Sequence, residues 1–245
     1  MTESESRVAV FRPDDERIET ARDVLTDLGV DPVADPMLAV EPTGATPQAA
    51  DYVVFTSKTG AELVADAGWE TEATVVAIGP GTAEALESQG YAVDLTPEEY
   101  SSTGLVELLA DRVEGATVEV ARSDHGSDVL LDGLREAGAD THETVLYRLV
   151  RPEGAGESAA LAARGELDAA CFTSSLTVEN FLDAATEREV RDDALEGLNG
   201  IVVGVIGEPT RETAESLGID VDVVPAEATF EALASETVAR LRERR

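Results

Sequence analysis

Residues Val75–Leu105 read VVAIGPGTAEALESQGYAVDLTPEEYSSTGL, and Val203–Leu233 read VGVIGEPTRETAESLGIDVDVVPAEATFEAL. At an offset of 128 positions, the two segments share 13 of 31 residues. Each copy predicts a buried strand, a glycine turn, a helix and a second short strand. Gly90 and Gly218 are predicted to end the two helices, because glycine adopts a left-handed conformation at little cost. The repeat therefore predicts two homologous α/β units.

The glycine turn of each copy has the pattern Ile-Gly-x-x-Thr, with Gly79 and Thr82 in the first copy and Gly207 and Thr210 in the second. Such a turn leaves backbone N–H groups free at the start of the following helix. Free N–H groups and the helix dipole together favour an anion. We therefore expect an anion-binding helix terminus in each unit.

The repeat extends beyond this segment. Arg12, which follows the opening strand, matches Arg122 at an offset of 110, and the sequence FTSK at 55–58 recurs as FTSS at 172–175. The two copies then cover roughly residues 7–114 and 117–240. Periodicity and turn residues predict strands at Arg7–Phe11, Tyr52–Thr56, Val118–Ala121 and Asp168–Thr173, helices at Glu16–Leu28, Thr59–Ala67, Thr103–Arg112 and Ser127–Ala137, and an irregular stretch at Glu153–Gly165.

Alternating strands and helices predict parallel sheets in an α/β fold. Two domain arrangements are compatible with the order of the elements. In a linear arrangement, the two copies form successive lobes. In a crossover arrangement, extended segments at 36–42 and 145–152 pair as an antiparallel connector, so that one lobe holds 1–36 and 151–245 and the other holds 40–147. The spacing of the elements does not choose between them.

The net charge is −33, from 51 acidic and 18 basic residues, and Lys58 is the only lysine. Such a surface repels nucleic acid and anionic membranes, whose binding needs clustered cations. The acidic residues are spread along a chain that is 43% hydrophobic, which is typical of a globular protein in a salty cytoplasm. The polar N-terminus, Met1–Ser6, lacks the apolar region of a secretion signal, and no apolar run is long enough to span a membrane. Cys171 lies in a predicted strand, where we expect a buried, unreactive thiol.

The sequence lacks the usual catalytic and cofactor motifs. It has no G-x-G-x-x-G after a strand, no P-loop, no G-x-S-x-G and no Cys/His cluster with metal-ligand spacing. What remains is a set of hydroxyls and arginines just past predicted strands, where parallel α/β sheets bind ligands. For each hydroxyl, the alternative role is a helix N-cap, worth about 1 kcal/mol. The set comprises Arg12, Ser57, Thr82, Arg122, Ser174, Ser175 and Thr210.

Taken together, the opening strand with Arg12-Pro13, the two FTS segments, both Ile-Gly-x-x-Thr turns, Val-Leu-Tyr147-Arg and the tail ending at Thr229 resemble the uroporphyrinogen-III synthase family over nearly the whole chain. The resemblance implies two flavodoxin-like parallel-sheet lobes, the crossover connector, and an active-site cleft between the lobes. It also implies no metal or organic cofactor. The near absence of lysine departs from the family, so any lysine that contacts substrate there is replaced here.

The family's reaction closes hydroxymethylbilane into uroporphyrinogen III, with loss of water and inversion of the last pyrrole ring through a spiro intermediate. The resemblance implies Tyr147 as the catalytic proton donor, and Thr82, Ser174 and Thr210 as hydroxyls at the cleft. With Gly79, Gly207, Arg12, Ser57, Arg122 and Ser175, they form the predicted substrate site. We expect a monomer, because two lobes of one chain already form a cleft. A non-catalytic binding protein for a small anion and a nucleotide-dependent enzyme remain alternatives.

Overall fold

The computed structural model describes residues 6–244, so the polar N-terminal segment considered above lies outside the described residues except for Ser6. Strands and helices alternate along most of this part of the chain. The strands are β1 (Arg7–Phe11), β2 (Asp31–Ala34), β3 (Ala39–Pro42), β4 (Tyr52–Phe55), β5 (Thr74–Ala77), β6 (Thr117–Ser123), β7 (Asp140–Val150), β8 (Ala169–Phe172) and β9 (Val202–Val205). The helices are α1 (Glu16–Asp27), α2 (Lys58–Asp66), α3 (Pro80–Ser88), α4 (Ser102–Leu109), α5 (Asp128–Glu136), α6 (Glu157–Ala163), α7 (Ser175–Glu187), α8 (Arg191–Asn199), α9 (Glu208–Ser216) and α10 (Phe230–Arg244).

The described chain divides into two compact units. Unit 1 contains the residues up to Val40 together with those from Val150 onward, and unit 2 contains Glu41–Leu149. No helix within residues 6–244 is both long enough and apolar enough to cross a membrane.

The sheet of unit 1 has the strand order β2-β1-β8-β9, and all of its pairs are parallel. An isolated parallel bridge from Gly204 to Val223 adds a short fifth strand beside β9. If β1, β2, β8, β9 and the short strand at Val223 are numbered 1 to 5, the sheet order is 2-1-3-4-5. This is the flavodoxin-like order of a doubly wound sheet. Ligands bind such sheets at the carboxyl ends of the strands, beside the point where the strand order reverses. In unit 1 this point lies between β1 and β8.

The sheet of unit 2 has the order β3-β7-β6-β4-β5, and a parallel bridge from Val76 to Leu95 extends it beyond β5. The pairs of β7 with β6, β6 with β4 and β4 with β5 are parallel. If β6, β7, β4, β5 and the short strand at Leu95 are numbered 1 to 5, the order is again 2-1-3-4-5. In the chain, however, strands 3 to 5 of this numbering come before strands 1 and 2. Its reversal point therefore lies between β6 and β4. The strand β3 is hydrogen-bonded to β7, and the antiparallel direction of that pair stays a prediction.

Alternating residues of unit 1's strands enter two apolar layers, one on each face of the sheet. Ala9 and Phe11 contribute to one layer, while Val8 and Val10 contribute to the other. The rings of Phe11 and Phe172 stack with centroids 4.4 Å apart. Burial on both faces is typical of a parallel sheet covered by helices, and it confirms the predicted α/β class.

The structure gives physical reasons why several residues are identical in the two copies of the repeat. The carboxylates of Asp94 and Asp222 each accept a hydrogen bond from the first residue of the repeat, at 2.8 Å from Val75 N and 3.0 Å from Val203 N. Each aspartate thereby ties its short terminal strand to the preceding strand. The two repeat glycines that follow α3 and α9 have φ of +92° and +88°, which confirms the predicted left-handed helix ends. These are Gly90 and Gly218.

The prediction of an irregular stretch at Glu153–Gly165 is wrong, because α6 lies within it. The start of α6 is stabilised by a residue far away in sequence. The carboxylate of Asp35, directly after β2, accepts hydrogen bonds from Gly156 N at 2.9 Å and Ser158 N at 2.8 Å. It also accepts the Ser158 hydroxyl. A capping partner 121 to 123 residues away leaves no local signal for a helix start.

Candidate active site

In unit 2, the predicted site residue Ser57 is the N-cap residue of α2 and directly precedes the helix. Its Oγ accepts a hydrogen bond from Gly60 N at 3.0 Å, which is the N-cap geometry. The same oxygen accepts the phenol of Tyr147 at 3.0 Å. Tyr147 lies on β7, and only 7% of it is exposed. Ser57 follows β4, beside the reversal point of this sheet, so the structure brings the predicted proton donor and a predicted substrate-binding hydroxyl together.

The start of α3 also lies at this edge of unit 2. Gly79 is its N-cap residue and makes no side-chain cap hydrogen bond, while Thr82 is buried in the first turn. Lys58 lies over this turn: a methyl group built on Gly81 would be 2.7 Å from Lys58 Cε and 3.5 Å from Nζ. Pro80 has no N–H group and Thr82 N donates to the Gly79 carbonyl at 3.1 Å, so fewer N–H groups are free here than the sequence predicts. The ammonium group beside this helix start supports the predicted preference for an anion.

Arg122 does not follow its strand as predicted, because β6 continues to Ser123. Its side chain is 4% exposed. Its Nε donates to Glu143 Oε1 at 2.6 Å, and one terminal nitrogen donates to the Ser127 carbonyl at 2.5 Å. These contacts hold the loop between β6 and α5. They favour a structural role for Arg122, and its substrate contact stays a prediction.

In unit 1, Ser174 is the N-cap residue of α7 and forms a capping box with Thr177. Ser175 lies one residue further on. Its hydroxyl donates to the Pro209 carbonyl at 3.2 Å and accepts the Thr213 hydroxyl at 2.8 Å, so it links α7 to α9. The N-cap role considered for each hydroxyl therefore applies to Ser174 and Ser57, but not to Ser175.

The start of α9 repeats the geometry of α3 but not its charge. Gly207 is the N-cap residue, again without a side-chain cap, and Thr210 is buried in the first turn. Both threonines of the repeat lie inside helices whose N-cap residues are glycines, so neither is a cap. Glu208 occupies the first turn of α9 and pairs with Arg211 at 3.6 Å. Because this carboxylate already lies at the helix start, α9 is the weaker anion site of the two.

Arg12, directly after β1, lies in a cavity of about 240 Å³ with Arg17, Thr229 and Phe230 among its lining residues. Its guanidinium carbon lies 5.1 Å from the centre of the Phe230 ring, a cation–π contact. Its Nε is buried and has no hydrogen-bond partner among the described residues. Burial, followed by the like charge of Arg17, lowers the pKa of Arg12. A desolvated cation with an unmet donor is suited to bind an anion.

Sequence reasoning did not connect several residues with the predicted site. Lys58, Arg17 and Phe230 lie beside predicted site residues and were not assigned to it. The one available signal was that Lys58, the only lysine, directly follows Ser57. Arg17 and Phe230 come close to Arg12 only through the packing of α1 and α10. Among residues 6–244, no group of three or more histidine, cysteine, aspartate or glutamate side chains is arranged to hold a metal ion.

A second cavity, of about 690 Å³, lies at the opposite edge of the unit 1 sheet. Its lining includes Asp168 and Ile201, which directly precede β8 and β9. The other charged residues of the lining are Asp193, Glu196, Arg164 and Arg244. Parallel α/β sheets bind their ligands at the carboxyl ends of the strands. The position of this cavity, beside residues that precede the strands, therefore makes it a poorer candidate ligand site.

Two parallel α/β units of flavodoxin-like order, each with polar groups at the carboxyl edge of its sheet, define the class of this protein. Residues 19–235 match the family model described as uroporphyrinogen-III synthase HemD. A protein of Methanothermobacter thermautotrophicus that is named after this family is 34% identical over 179 residues, covering 69% of this chain and 70% of that protein. The chain belongs to the uroporphyrinogen-III synthase family.

Solved structures of the family share the fold. A mutant uroporphyrinogen III synthase from the extremely thermophilic bacterium Thermus thermophilus matches 98% of this chain and 100% of that chain, with a TM-score of 0.69 at 20% identity. The synthase from Helicobacter pylori 26695 matches 96% of this chain and 99% of that one, with a TM-score of 0.63 at 16% identity. The family match over residues 19–235 agrees with the enzyme family and not with the alternative of a non-catalytic binding protein.

Proposed function

We propose that this protein is a uroporphyrinogen-III synthase that closes hydroxymethylbilane into uroporphyrinogen III, releasing water and inverting the last pyrrole ring. The observation that carries the proposal is the family match, which spans residues 19–235. The hydroxyl pair of Tyr147 and Ser57 at the ligand-binding edge of unit 2 supports it, because it supplies O–H groups at the expected place. The reaction belongs to porphyrin biosynthesis.

The chemical step needs little more from the protein than a proton donor. The substrate's terminal hydroxyl leaves as water when a general acid protonates it, and the electron-rich pyrrole becomes an azafulvene cation. We propose Tyr147 as the source of that proton. The harder task is to favour attack through the inverted ring, by way of a spiro intermediate, over direct closure. That selection depends on holding a flexible chain in one shape, which is a matter of positioning.

The substrate carries eight carboxylates, so we propose that local donors bind it. In unit 1 the best supported is Arg12, whose Nε is buried and has no hydrogen-bond partner among the described residues. In unit 2 it is the start of α3, where Lys58 lies over Gly81. The other proposed substrate contacts are Ser57, Thr82, Ser174, Ser175, Gly207, Thr210 and, with less support, Arg122.

The net charge of −33 opposes binding of a polyanion over long distances. We propose that the protein functions as a monomer in a salty cytoplasm, where screening removes most of this repulsion. The surface supports a high-salt habitat, because acidic residues so far outnumber basic ones. We also propose that one lobe comprises residues 1–36 and 151–245 and that the other comprises residues 40–147.

The test is incubation of the protein with enzymatically generated hydroxymethylbilane in high salt, followed by oxidation and chromatographic separation of the type I and type III porphyrins. We expect the type III isomer to predominate, whereas a reaction without protein gives the type I isomer. Addition of metal chelators should leave the yield unchanged. A yield of type III no higher than without protein, from folded protein in about 3 M KCl, would overturn the proposal.

A further inference from the structure

The hydroxyl of Ser57 has one hydrogen left to donate. A serine oxygen accepts two hydrogen bonds and donates one. Here it accepts one from Gly60 N and one from the Tyr147 phenol, each at 3.0 Å. Among residues 6–244, no acceptor is seen for the hydroxyl hydrogen of Ser57. Ser57 is half-buried and Tyr147 is 7% exposed, so the serine is the more accessible of the two residues.

The space around this pair is limited on the side of α2. A methyl group built on Gly60 would lie 3.2 Å from both Leu146 Cδ1 and Ser57 Oγ, so a larger residue at that position would crowd the pair. The N–H of Gly60 already occupies one acceptor site of Ser57. The phenol is the more acidic of the two hydroxyls, so it is the natural donor. We therefore assign the phenol of Tyr147 as the donor and the Ser57 oxygen as the acceptor.

Comparison of the two copies of the repeat indicates that helix capping does not explain the contact between Tyr147 and Ser57. Ser57 and Ser174 occupy equivalent places in the two FTS segments, and both cap a helix. At the offset of 110, the counterpart of Tyr147 is Met37, which is fully buried among apolar residues. Ser174 therefore caps its helix without a phenol. The tyrosine was not needed for the cap, and its contact with Ser57 requires another reason.

Resting on the proposed function, we propose that Ser57 is the catalytic residue that protonates the departing hydroxyl, and that Tyr147 is a positioning residue that resupplies Ser57. The bond between carbon and the hydroxyl oxygen breaks, and its electron pair stays on oxygen. That oxygen takes the Ser57 hydrogen and leaves as water, while Ser57 takes the phenol hydrogen. The pyrrole nitrogen's lone pair stabilises the carbon cation. The proton lost when the closed macrocycle regains its aromatic rings restores the phenol.

The first test separates proton donation from capping. Ser101 caps α4 with the same Ser-x-x-Gly geometry, since its Oγ accepts from Gly104 N at 3.0 Å, but it has no tyrosine partner. Ser57→Ala and Ser101→Ala should lower the midpoint of urea unfolding by similar amounts. Ser57→Ala should also lower kcat by about 10²-fold or more, with little change in KM. Ser101→Ala should change kcat by less than about threefold, and Ser57→Thr, which keeps a hydroxyl, should restore most of the rate.

The second test is a double-mutant cycle of Ser57→Ala and Tyr147→Phe. Tyr147→Phe alone should lower turnover by no more than about 10²-fold and shift the product towards the type I isomer. In the Ser57→Ala background, Tyr147→Phe should lower turnover by less than about threefold further, because the relay is already broken. Multiplicative losses would mean that Tyr147 donates to substrate directly.

The outcomes distinguish this inference from the proposed function. If wild type makes type III product and Ser57→Ala retains its rate, the relay is wrong and the function stands. If wild type makes no type III product, the proposed function itself fails. A Ser57→Ala protein that does not fold would be replaced by Ser57→Asn, which keeps a capping oxygen but has no hydroxyl. Wild-type turnover in Ser57→Asn would equally overturn the relay.

Discussion

Two arginines related by the repeat differ in what surrounds them. Arg122 is buried, and its guanidinium is paired with Glu143. Arg12 lies over the Phe230 ring, and its Nε has no partner among the described residues. A buried cation that already has its counter-charge is satisfied, whereas a buried N–H donor without a partner is costly unless a ligand accepts its hydrogen bond. The same residue type at equivalent places is therefore structural in one unit and a candidate ligand group in the other.

Cys171 provides a test of burial at the level of one residue. It is fully buried in β8, and desolvation raises its pKa to about 12 from an ordinary value of 9.0. We expect no reaction with a thiol reagent at about pH 8 in the native state, and complete reaction after unfolding in urea. Rapid labelling of the native protein would contradict the buried position.

The raised pKa of Cys171 also predicts how stability depends on pH. The thiol is neutral in both states below an ordinary pKa of 9.0, so its contribution to stability is fully present there. Above that pH the thiol ionises in the unfolded chain first, and stability is lost as the pH rises towards about 12. The free energy of unfolding should therefore fall less steeply between about pH 9 and 11 in Cys171→Ala than in wild type.

At the scale of elements, α6 depends on a residue outside it. The carboxylate of Asp35 accepts hydrogen bonds from two backbone N–H groups and one hydroxyl at its start, and 5% of that residue is exposed. Asp35→Ala leaves buried N–H groups without partners, so we expect a loss of about 3 kcal/mol in the free energy of unfolding. Asp31→Ala, at the exposed start of the strand β2 that Asp35 follows, removes only a 3.8 Å surface ion pair and should cost less than about 1 kcal/mol. Urea titration measures both, and equal losses would contradict the capping role.

The packing of α10 on β9 explains one departure from the repeat. Gly204 stands where the first copy has Val76. A Cβ at Gly204 would overlap Thr237 Oγ1 and would lie 2.8 Å from Leu233 Cδ1, so the helix approaches the strand closely at this point. We expect Gly204→Ala to destabilise the fold by about 2 kcal/mol through overpacking.

Thr237→Ala provides the control for this prediction. It removes the atom nearest to the added methyl group, so it should recover part of the stability that Gly204→Ala loses. Thermal unfolding of the two single variants and the double variant measures the coupling between the positions. Strictly additive effects would mean that the helix does not approach β9 as closely as described.

At the scale of the whole molecule, charge dominates. With a net charge of −33, the protein repels a substrate that carries eight carboxylates. The Debye length falls from about 10 Å at 0.1 M salt to about 3 Å at 1 M, which removes most of this repulsion while close contacts persist. We expect turnover to rise between about 0.1 and 3 M KCl, mainly through a lower KM.

Measurement of the unfolding midpoint in the same salt series separates substrate binding from stability. If activity rises only where the protein gains structure, the effect is on folding. If the fully folded protein is most active at about 0.1 M KCl, the electrostatic account fails.

The sequence predicted much of the site but not how its members act. Tyr147 and Ser57 were both identified, yet they lie 90 residues apart, and only the structure shows that one donates to the other. The sequence also did not predict that β6 continues past Arg122 to Ser123. The end of a strand depends on its neighbour, and here β7 continues to pair with β6 through a bulge between Arg122 and Ser123. Helix α6 was missed because its cap comes from Asp35.

The sequence by itself determined the duplication, the parallel α/β class and the family, because hydrophobic period, turn glycines and repeated motifs are local properties of a chain. The spacing of the elements left open whether the copies follow one another or the chain crosses over, and the family resemblance implied the crossover. The tertiary structure decided that β1 pairs with β8 and β6 with β4, so that each sheet has the same strand order but a different entry point for the chain. Such pairings join residues far apart in the chain and are fixed by burial of both sheet faces, which no local pattern encodes.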